Sequence, residues 1–291
     1  MLDHAQAQRS PELGDEVLLL GCGYLGTAML GALGGRVTAV TRSAARHAAL
    51  GARGVRCVAC DLAAPDLAAR LAPGLAGFRG VVFLIAPPSA WADDGLAASL
   101  ARLVAVLAQT DLRCAVLASS TVVFGDAAGE EVAADAPVDD GTPRARKQLA
   151  IERQWQAAPF ATRVVRLAGL YGPGRVIGLA GLARGEAVAG DGEAWLNLLH
   201  VEDAARALIA TALAATPLDP ALISDGRPLR RRSYYATLAT LLGRPAPSFG
   251  APGGRSGGSR RCDPSASWAA LTLAPRWPDV RAGLADALRA K

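Results

Sequence analysis

The segment Val17-Leu18-Leu19-Leu20-Gly21-Cys22-Gly23-Tyr24-Leu25-Gly26 constrains this chain more than any other. An uncharged run of branched aliphatic residues suits a strand buried on both faces of a sheet. The glycines after it stand at the first, third and sixth positions of a loop. Gly21 allows a tight turn off the strand, Gly23 lets the backbone approach a pyrophosphate, and Gly26 lets the next helix pack close. Tyr24 and Leu25 complete the loop, and the helix beyond it turns free N–H groups toward phosphate. Glycines at this spacing arise by chance in a chain with 32 of them, so the preceding strand and following helix carry the inference.

The rest of the chain supplies the context such a loop needs. Helical stretches at 27–33, 94–109 and 144–156 alternate with strand-like runs at 17–21, 36–42, 55–61, 81–86, 114–120 and 162–172. This pattern predicts an α/β fold, six parallel strands in one doubly wound sheet of Rossmann type. Beyond Gly172 glycine and proline become frequent, which predicts a small C-terminal substrate lobe. The domain reading is a flexible tail over 1–15, a dinucleotide-binding domain over 16–172, and a lobe over 173–291 with parts returning to the main domain. The Pro-, Gly- and Ser-rich stretch 244–261 reads as a mobile loop.

Composition excludes several classes. The net charge is +5, yet Lys147 and Lys291 are the only lysines and the arginines are scattered, apart from Arg230-Arg231-Arg232. A nucleic-acid surface is therefore not expected. The first sixteen residues mix charges without an apolar stretch, so no secretory signal is read and a cytoplasmic location is expected. Residues 17–35 are poor in charge, but glycines interrupt them and no membrane span is predicted. Five cysteines form no paired framework. Cys57 and Cys60 fall on a strand, three apart and on opposite faces, so free thiols and no metal site are expected.

The end of the second strand distinguishes the nicotinamide cofactors. There Thr41, Arg42 and Ser43 stand where an acidic residue would take a ribose 2′-hydroxyl, and Arg46 follows one helical turn on. Guanidinium groups hold phosphate, so NADP is favoured over NAD, which stays open. Asp61 and Leu62 end the third strand and are placed either to meet the adenine or, for Asp61, to cap a helix. Ala86 and Pro87 at the end of the fourth strand complete the expected cofactor set.

Further segments carry a resemblance. Ser119-Ser120-Thr121-Val122-Val123-Phe124-Gly125, Arg166 through Tyr171-Gly172-Pro173-Gly174, and Asn197 through His200-Val201-Glu202-Asp203 accompany the glycine loop. Together they resemble the extended short-chain dehydrogenase/reductases, the NAD-dependent epimerase/dehydratase family, over nearly the whole chain. The resemblance implies a Tyr-x-x-x-Lys pair on the helix after the serine stretch. Here that helix aligns Arg144 with the tyrosine and Gln148 with the lysine. A shift of one brings Lys147 into the lysine slot and Pro143 into the other, and no tyrosine occurs between Tyr24 and Tyr171. An arginine stays protonated and cannot exchange a proton as tyrosine does.

The candidate catalytic residues are therefore Ser120, which matches the family's catalytic Ser/Thr position, its neighbour Thr121, and the cations Arg144 and Lys147. His200 reads as a structural residue at the start of a helix capped by Asp203. Tyr171 and Tyr235 read as packing residues. Two functions follow: an NAD(P)-binding oxidoreductase or epimerase acting on a small polar or nucleotide-sugar-like substrate, or a non-catalytic NADP(H) sensor. The expected partners are a small-molecule substrate and a second copy of the chain, with neither nucleic acid nor membrane.

Overall fold

In the computed structural model, residues 16–33, 36–87, 89, 91–216, 218–251 and 258–289 are described. In chain order the strands are β1 Glu16–Leu20, β2 Val37–Thr41, β3 Arg56–Ala59, β4 Arg79–Leu84, β5 Asp111–Ser120, β6 Glu131–Val132, β7 Thr162–Leu167, β8 Gly169–Tyr171, β9 Val188–Ala189, β10 Trp195–Leu196, β11 Leu198–His200, β12 Ala221–Ile223, β13 Leu229–Arg230, β14 Phe249–Ala251 and β15 Arg261–Cys262. The helices are α1 Tyr24–Met29, α2 Ala44–Gly51, α3 Leu67–Leu75, α4 Leu96–Leu107, α5 Pro143–Gln156, α6 Leu179–Ala183, α7 Val201–Leu213, α8 Arg231–Leu241, α9 Ser265–Ala270 and α10 Val280–Arg289.

Seven strands form one parallel sheet in the order β12-β7-β5-β4-β1-β2-β3. The chain adds β2 and β3 on one side of β1, then crosses back to add β4 on the other. The glycine loop leaves β1 at that reversal, where open α/β sheets bind ligands beyond their carboxyl ends. Alternation along β1 decides which face each residue serves. Val17 and Leu19 pack with Met29, Phe83 and Leu208 on the side of α1 and α7. Leu18 and Leu20 pack with Leu71, Leu100, Leu103 and Trp155 on the side of α3, α4 and α5. The smaller lobe has its own core of Tyr171, Leu182, Tyr234, Leu238 and Leu284.

Several elements differ from the sequence expectation: β3 and β4 end at Ala59 and Leu84, before Asp61 and Ala86, and β5 begins at Asp111 rather than Cys114. The first helix begins at Tyr24 rather than Thr27, with Gly23 at its N-cap; Leu25, Gly26 and Met29 form its buried face. The run 162–172 breaks at Ala168, so that β7 stays in the sheet while β8 leaves it to pair with β11. A seventh strand, β12, adds beyond β7, although Ala221-Leu222-Ile223 is too short to display a period. With α7 packed under the sheet, it returns the C-terminal part of the chain to the main domain.

The expected tail 1–15 lies outside the described residues, as does 252–257 within the stretch read as a loop. On either side of the latter, β14 pairs with β9 and β15 with β6. No helix among the described residues is long and apolar enough to cross a membrane. Their cysteines are unpaired thiols.

Candidate functional site

The three glycines of the loop differ in what surrounds them. Gly21 has φ +99°, and a Cβ there would lie 2.7 Å from the Ala86 Cα, so the turn off β1 requires glycine. Its N–H and that of Cys22 both donate to the Val40 carbonyl, at 3.0 and 3.2 Å. A Cβ on Gly26 would meet the Ile85 Cδ1 at 2.8 Å, which is the close helix-to-strand approach. Beside Gly23, by contrast, the nearest atom to such a Cβ is Arg46 Nη1 at 3.9 Å. That open space is a cradle which a side chain would fill and a pyrophosphate fits. Leu25 is buried, and Tyr24 is half-buried with its hydroxyl unpartnered. Burial pushes the Tyr24 phenol up to about 12 against the opposing field of Arg175.

At the neighbouring strand ends, the Thr41 hydroxyl accepts the Ser43 N–H at 3.3 Å. Arg42 Nη1 stands 3.8 Å from Asp61 Oδ2. Asp61 Oδ1 accepts the Ala63 N–H at 3.0 Å, closing a turn, and the N-cap position of α3 belongs to Asp66. The end of β3 thus brings a carboxylate to Arg42 that the local sequence of β2 does not contain. Leu62 is buried, Ala86 packs against Gly21, and Pro87 is exposed.

Ser120 and Thr121 sit at the carboxyl end of β5. The Ser120 hydroxyl accepts the Val122 N–H at 3.3 Å and opens a 3-10 turn over Thr121–Phe124. On α5, capped by Thr142, residues Arg144, Gln148 and Glu152 are four apart and share a face. Gln148 and Glu152 are buried, and Arg144 borders a cavity over Ser120. Lys147 points elsewhere: its Nζ lies 2.6 Å from the Trp91 carbonyl and 2.6 Å from Asp93 Oδ1, tying α5 to the loop after β4.

A cavity of about 760 Å³ opens over Ser120 and Thr121, between the sheet and the lobe. Three guanidinium groups border it, those of Arg144, Arg231 and Arg260. Arg231 spends its nitrogens on the Ala189 and Asp191 carbonyls, at 3.0 and 3.3 Å. Arg260 is buried, donates to the Gly125 carbonyl, and has its pKa lowered by burial. Asn197 holds that wall by accepting the Cys262 N–H at 2.8 Å and donating to the Arg260 carbonyl at 2.9 Å. The carboxylate of Asp126 also faces the cavity, kept ionised to lower pH by N–H donors from Ser259 and Ala128.

Arg231, Arg260 and Asn197 escape sequence reasoning because distant segments bring them together. The local signals that exist are the Arg230-Arg231-Arg232 run for Arg231 and the Asn197–Asp203 segment for Asn197; Arg260 has none. The outer members of the arginine run are absorbed by the lobe: Arg230 stacks 3.9 Å above the Trp195 ring, and Arg232 pairs with Glu193 at 2.6 Å. His200 is fully buried and itself caps α7, its Nδ1 accepting the Glu202 N–H at 3.4 Å. Asp203, the expected cap, lies inside the first turn and accepts N–H groups of Arg276 and Trp277 at 2.8 and 2.9 Å. Tyr171 is buried edge-on against His200, whereas Tyr235 lines the cavity.

This parallel sheet, with its glycine loop after β1 and its serine-edged cavity, defines an α/β protein of Rossmann type with a smaller lobe beside the sheet. The model of the NAD dependent epimerase/dehydratase family matches residues 17–219, and the chain belongs to that family. It is 34% identical to Protein YeeZ of Escherichia coli (strain K12) over 137 residues, 46% of this chain and 48% of that protein. The match thus spans about half the length of this curated relative.

Among solved structures, a functionally unknown conserved protein from Silicibacter pomeroyi DSS has a TM-score of 0.78 at 26% identity, covering 94% of this chain and 98% of that one. MoeE5 in complex with UDP-glucose and NAD has a TM-score of 0.76 at 24% identity, covering 95% and 98%. UDP-glucuronic acid 4-epimerase from Bacillus cereus, in complex with NAD, has a TM-score of 0.78 at 16% identity, covering 94% and 98%. The last two likenesses show a shared fold.

Proposed function

We propose that the chain binds NADP(H) along its glycine loop and carries out oxidoreductase or epimerase chemistry on a small anionic substrate of nucleotide-sugar type. The observation that carries this reading is one cavity, edged by Ser120 and Thr121 and bordered by Arg144, Arg231 and Arg260. It opens at the same carboxyl edge of the sheet as the loop. The residues fit a dinucleotide, because the space beside Gly23 accepts a pyrophosphate. Gly21, Gly23, Tyr24, Leu25 and Gly26 would hold the phosphates, with Asp61, Leu62, Ala86 and Pro87 flanking the adenosine. When bound, the dinucleotide supplies the hydride-transfer chemistry. Complexes of two fold relatives with UDP-sugars support the substrate class.

In this reading Arg231 and Arg260 hold the anionic end of the substrate, and Arg144 stabilises negative charge near Ser120. The Ser120 hydroxyl hydrogen-bonds the reacting oxygen and relays a proton between it and solvent water entering the open cavity. A second reading, a dinucleotide sensor without turnover, is favoured by one observation: Lys147 is engaged by Trp91 and Asp93 instead of the cavity. A substrate panel separates the two: rapid-mixing measurement of NADPH oxidation with small ketones and of NADP+ reduction with UDP-sugars, together with epimer formation from the same UDP-sugars in the presence of cofactor. Turnover with any of them supports the enzyme; tight NADPH binding with no turnover across the panel supports the sensor.

A further inference from the structure

We infer that Lys147 is a positioning residue: it holds the chain leaving β4 as the second wall of a crevice whose first wall is the glycine loop. The inference rests on the proposed dinucleotide site. In the sheet β1 lies between β4 and β2, and the winding reverses between β1 and β4, where ligands enter beyond the carboxyl ends. The segments leaving those two strands are in contact. The Ile85 N–H donates to the Leu20 carbonyl at 3.0 Å. A Cβ built on Gly21 would lie 2.7 Å from the Ala86 Cα, and one on Gly26 would lie 2.8 Å from the Ile85 Cδ1. Any displacement of Ile85 and Ala86 therefore displaces one side of the glycine loop's surroundings.

Farther along, α5 fixes the same segment. Trp91 is buried in the apolar cluster that holds Leu84, Ala86 and Ile151, and its carbonyl accepts from the Lys147 Nζ at 2.6 Å. The Nζ also lies 2.6 Å from Asp93 Oδ1, but that side chain is 89% exposed, where an ion pair contributes little. The bond to the carbonyl of a buried residue is charge-assisted and is the stronger of the two. With only 18% of its side chain exposed, Lys147 has given up most of its water for these partners. Arg144, one turn earlier on α5, borders the cavity, and Lys147 does not. One helix thus sets a wall of the cavity and, through Lys147, the far wall of the crevice. Without the ammonium the segment samples arrangements that do not bind a dinucleotide, and apparent affinity falls with the fraction of chains that keep the wall in place. NADPH and NADH meet the same wall, so both are affected.

The test combines fluorescence titration of NADPH and NADH with hydrogen–deuterium exchange on the full-length protein, in wild type, Lys147→Met, Lys147→Arg and Asp93→Asn. Lys147→Met keeps an aliphatic stem and removes the ammonium. It should lose about tenfold or more in affinity for both cofactors, the effect of removing a hydrogen bond to a charged group. Without cofactor, its peptide covering 85–95 should exchange faster than in wild type, with β1 and β5 unchanged. Lys147→Arg should restore most of both properties, and Asp93→Asn should stay within about twofold of wild type, as an exposed pair requires. Wild-type affinity in Lys147→Met overturns the inference and leaves the dinucleotide site standing. Lost affinity with unchanged exchange at 85–95 also overturns it, since the ammonium would then act on the dinucleotide itself. Faster exchange across the whole sheet overturns it as well, by making Lys147 a residue of general stability. Binding of neither cofactor by the wild type overturns the cofactor reading and the inference with it.

Discussion

Glu152 on α5 and Arg166 on β7 form a buried two-point ion pair, Nε to Oε1 at 3.3 Å and Nη2 to Oε2 at 2.9 Å. Ser119 donates to the same carboxylate, the Arg166 Nη1 reaches the Ala134 carbonyl, and the guanidinium lies 5.1 Å over the Phe124 ring. The pair pins α5 to the sheet two turns from Arg144, and so fixes which face of the helix meets the cavity. Glu152→Ala leaves a buried guanidinium without its anion. It should destabilise the protein by about 3–5 kcal/mol, read from urea unfolding. A loss below about 1 kcal/mol would mean that the pair does not hold the helix.

Two glycines of the same loop should fail in different ways. Gly21 has a positive φ and the Ala86 backbone within 2.7 Å of a built Cβ, so Gly21→Ala should lower the melting temperature. Gly23 borders open space, so Gly23→Val should melt close to wild type yet lose binding of NADPH and NADH alike. Circular dichroism and cofactor fluorescence on the two variants check this. Normal cofactor binding by Gly23→Val would reduce the loop to a structural turn.

Asp225 lies buried behind the lobe, with Oδ1 accepting the Arg227 N–H at 3.0 Å and Oδ2 unpartnered. Burial pushes its pKa up to about 7 from 3.8, and the charges of Asp279 and Asp203 add to the rise. Between those two values the folded protein keeps a proton that the unfolded chain releases, so stability falls as pH rises through the window. Above about 7 the whole cost is present, at most about 4 kcal/mol for a shift of this size. Asp225→Asn keeps the Arg227 bond and carries no charge. It should therefore be more stable than wild type at pH 8 and equal to it near pH 4, by thermal unfolding across pH. A gap that stays constant with pH would show that Asp225 does not titrate in this window.

What the sequence discloses here depends on how local each interaction is. The strands β1 and β4 and the glycine loop are legible because uninterrupted apolar runs and φ-demanding glycines act within a few residues. The strand β12 is not, since three residues cannot show alternation and only its pairing with β7 defines it. Arg231 and Arg260 meet at one cavity through the folding of the lobe, and no spacing rule links them. Lys147 looks available on its helix until Trp91, 56 residues away, takes its ammonium. At α7 the usual cap preferences point to Asp203, but a histidine ring nitrogen performs that task, which residue statistics rarely anticipate.

Ser120 and Arg144 share the cavity but differ in chemistry. A hydroxyl donates and accepts, so Ser120 can polarise a substrate oxygen and pass a proton to or from it. A guanidinium stays charged throughout the accessible pH range and can only stabilise developing negative charge. The helix α5 carries no tyrosine to set beside Ser120, and Lys147 is committed to the loop after β4. Turnover should accordingly lack the steep alkaline-side dependence that a titrating tyrosine imposes. Ser120→Ala should reduce it by about 10²-fold or more, the contribution of a positioned proton-transfer group, with NADPH affinity unchanged. Arg144→Phe should weaken substrate binding and slow the reaction, but leave proton transfer operating. Measured as kcat and KM across pH for the best substrate of the panel, strong turnover in Ser120→Ala together with its abolition in Arg144→Phe would reverse these roles.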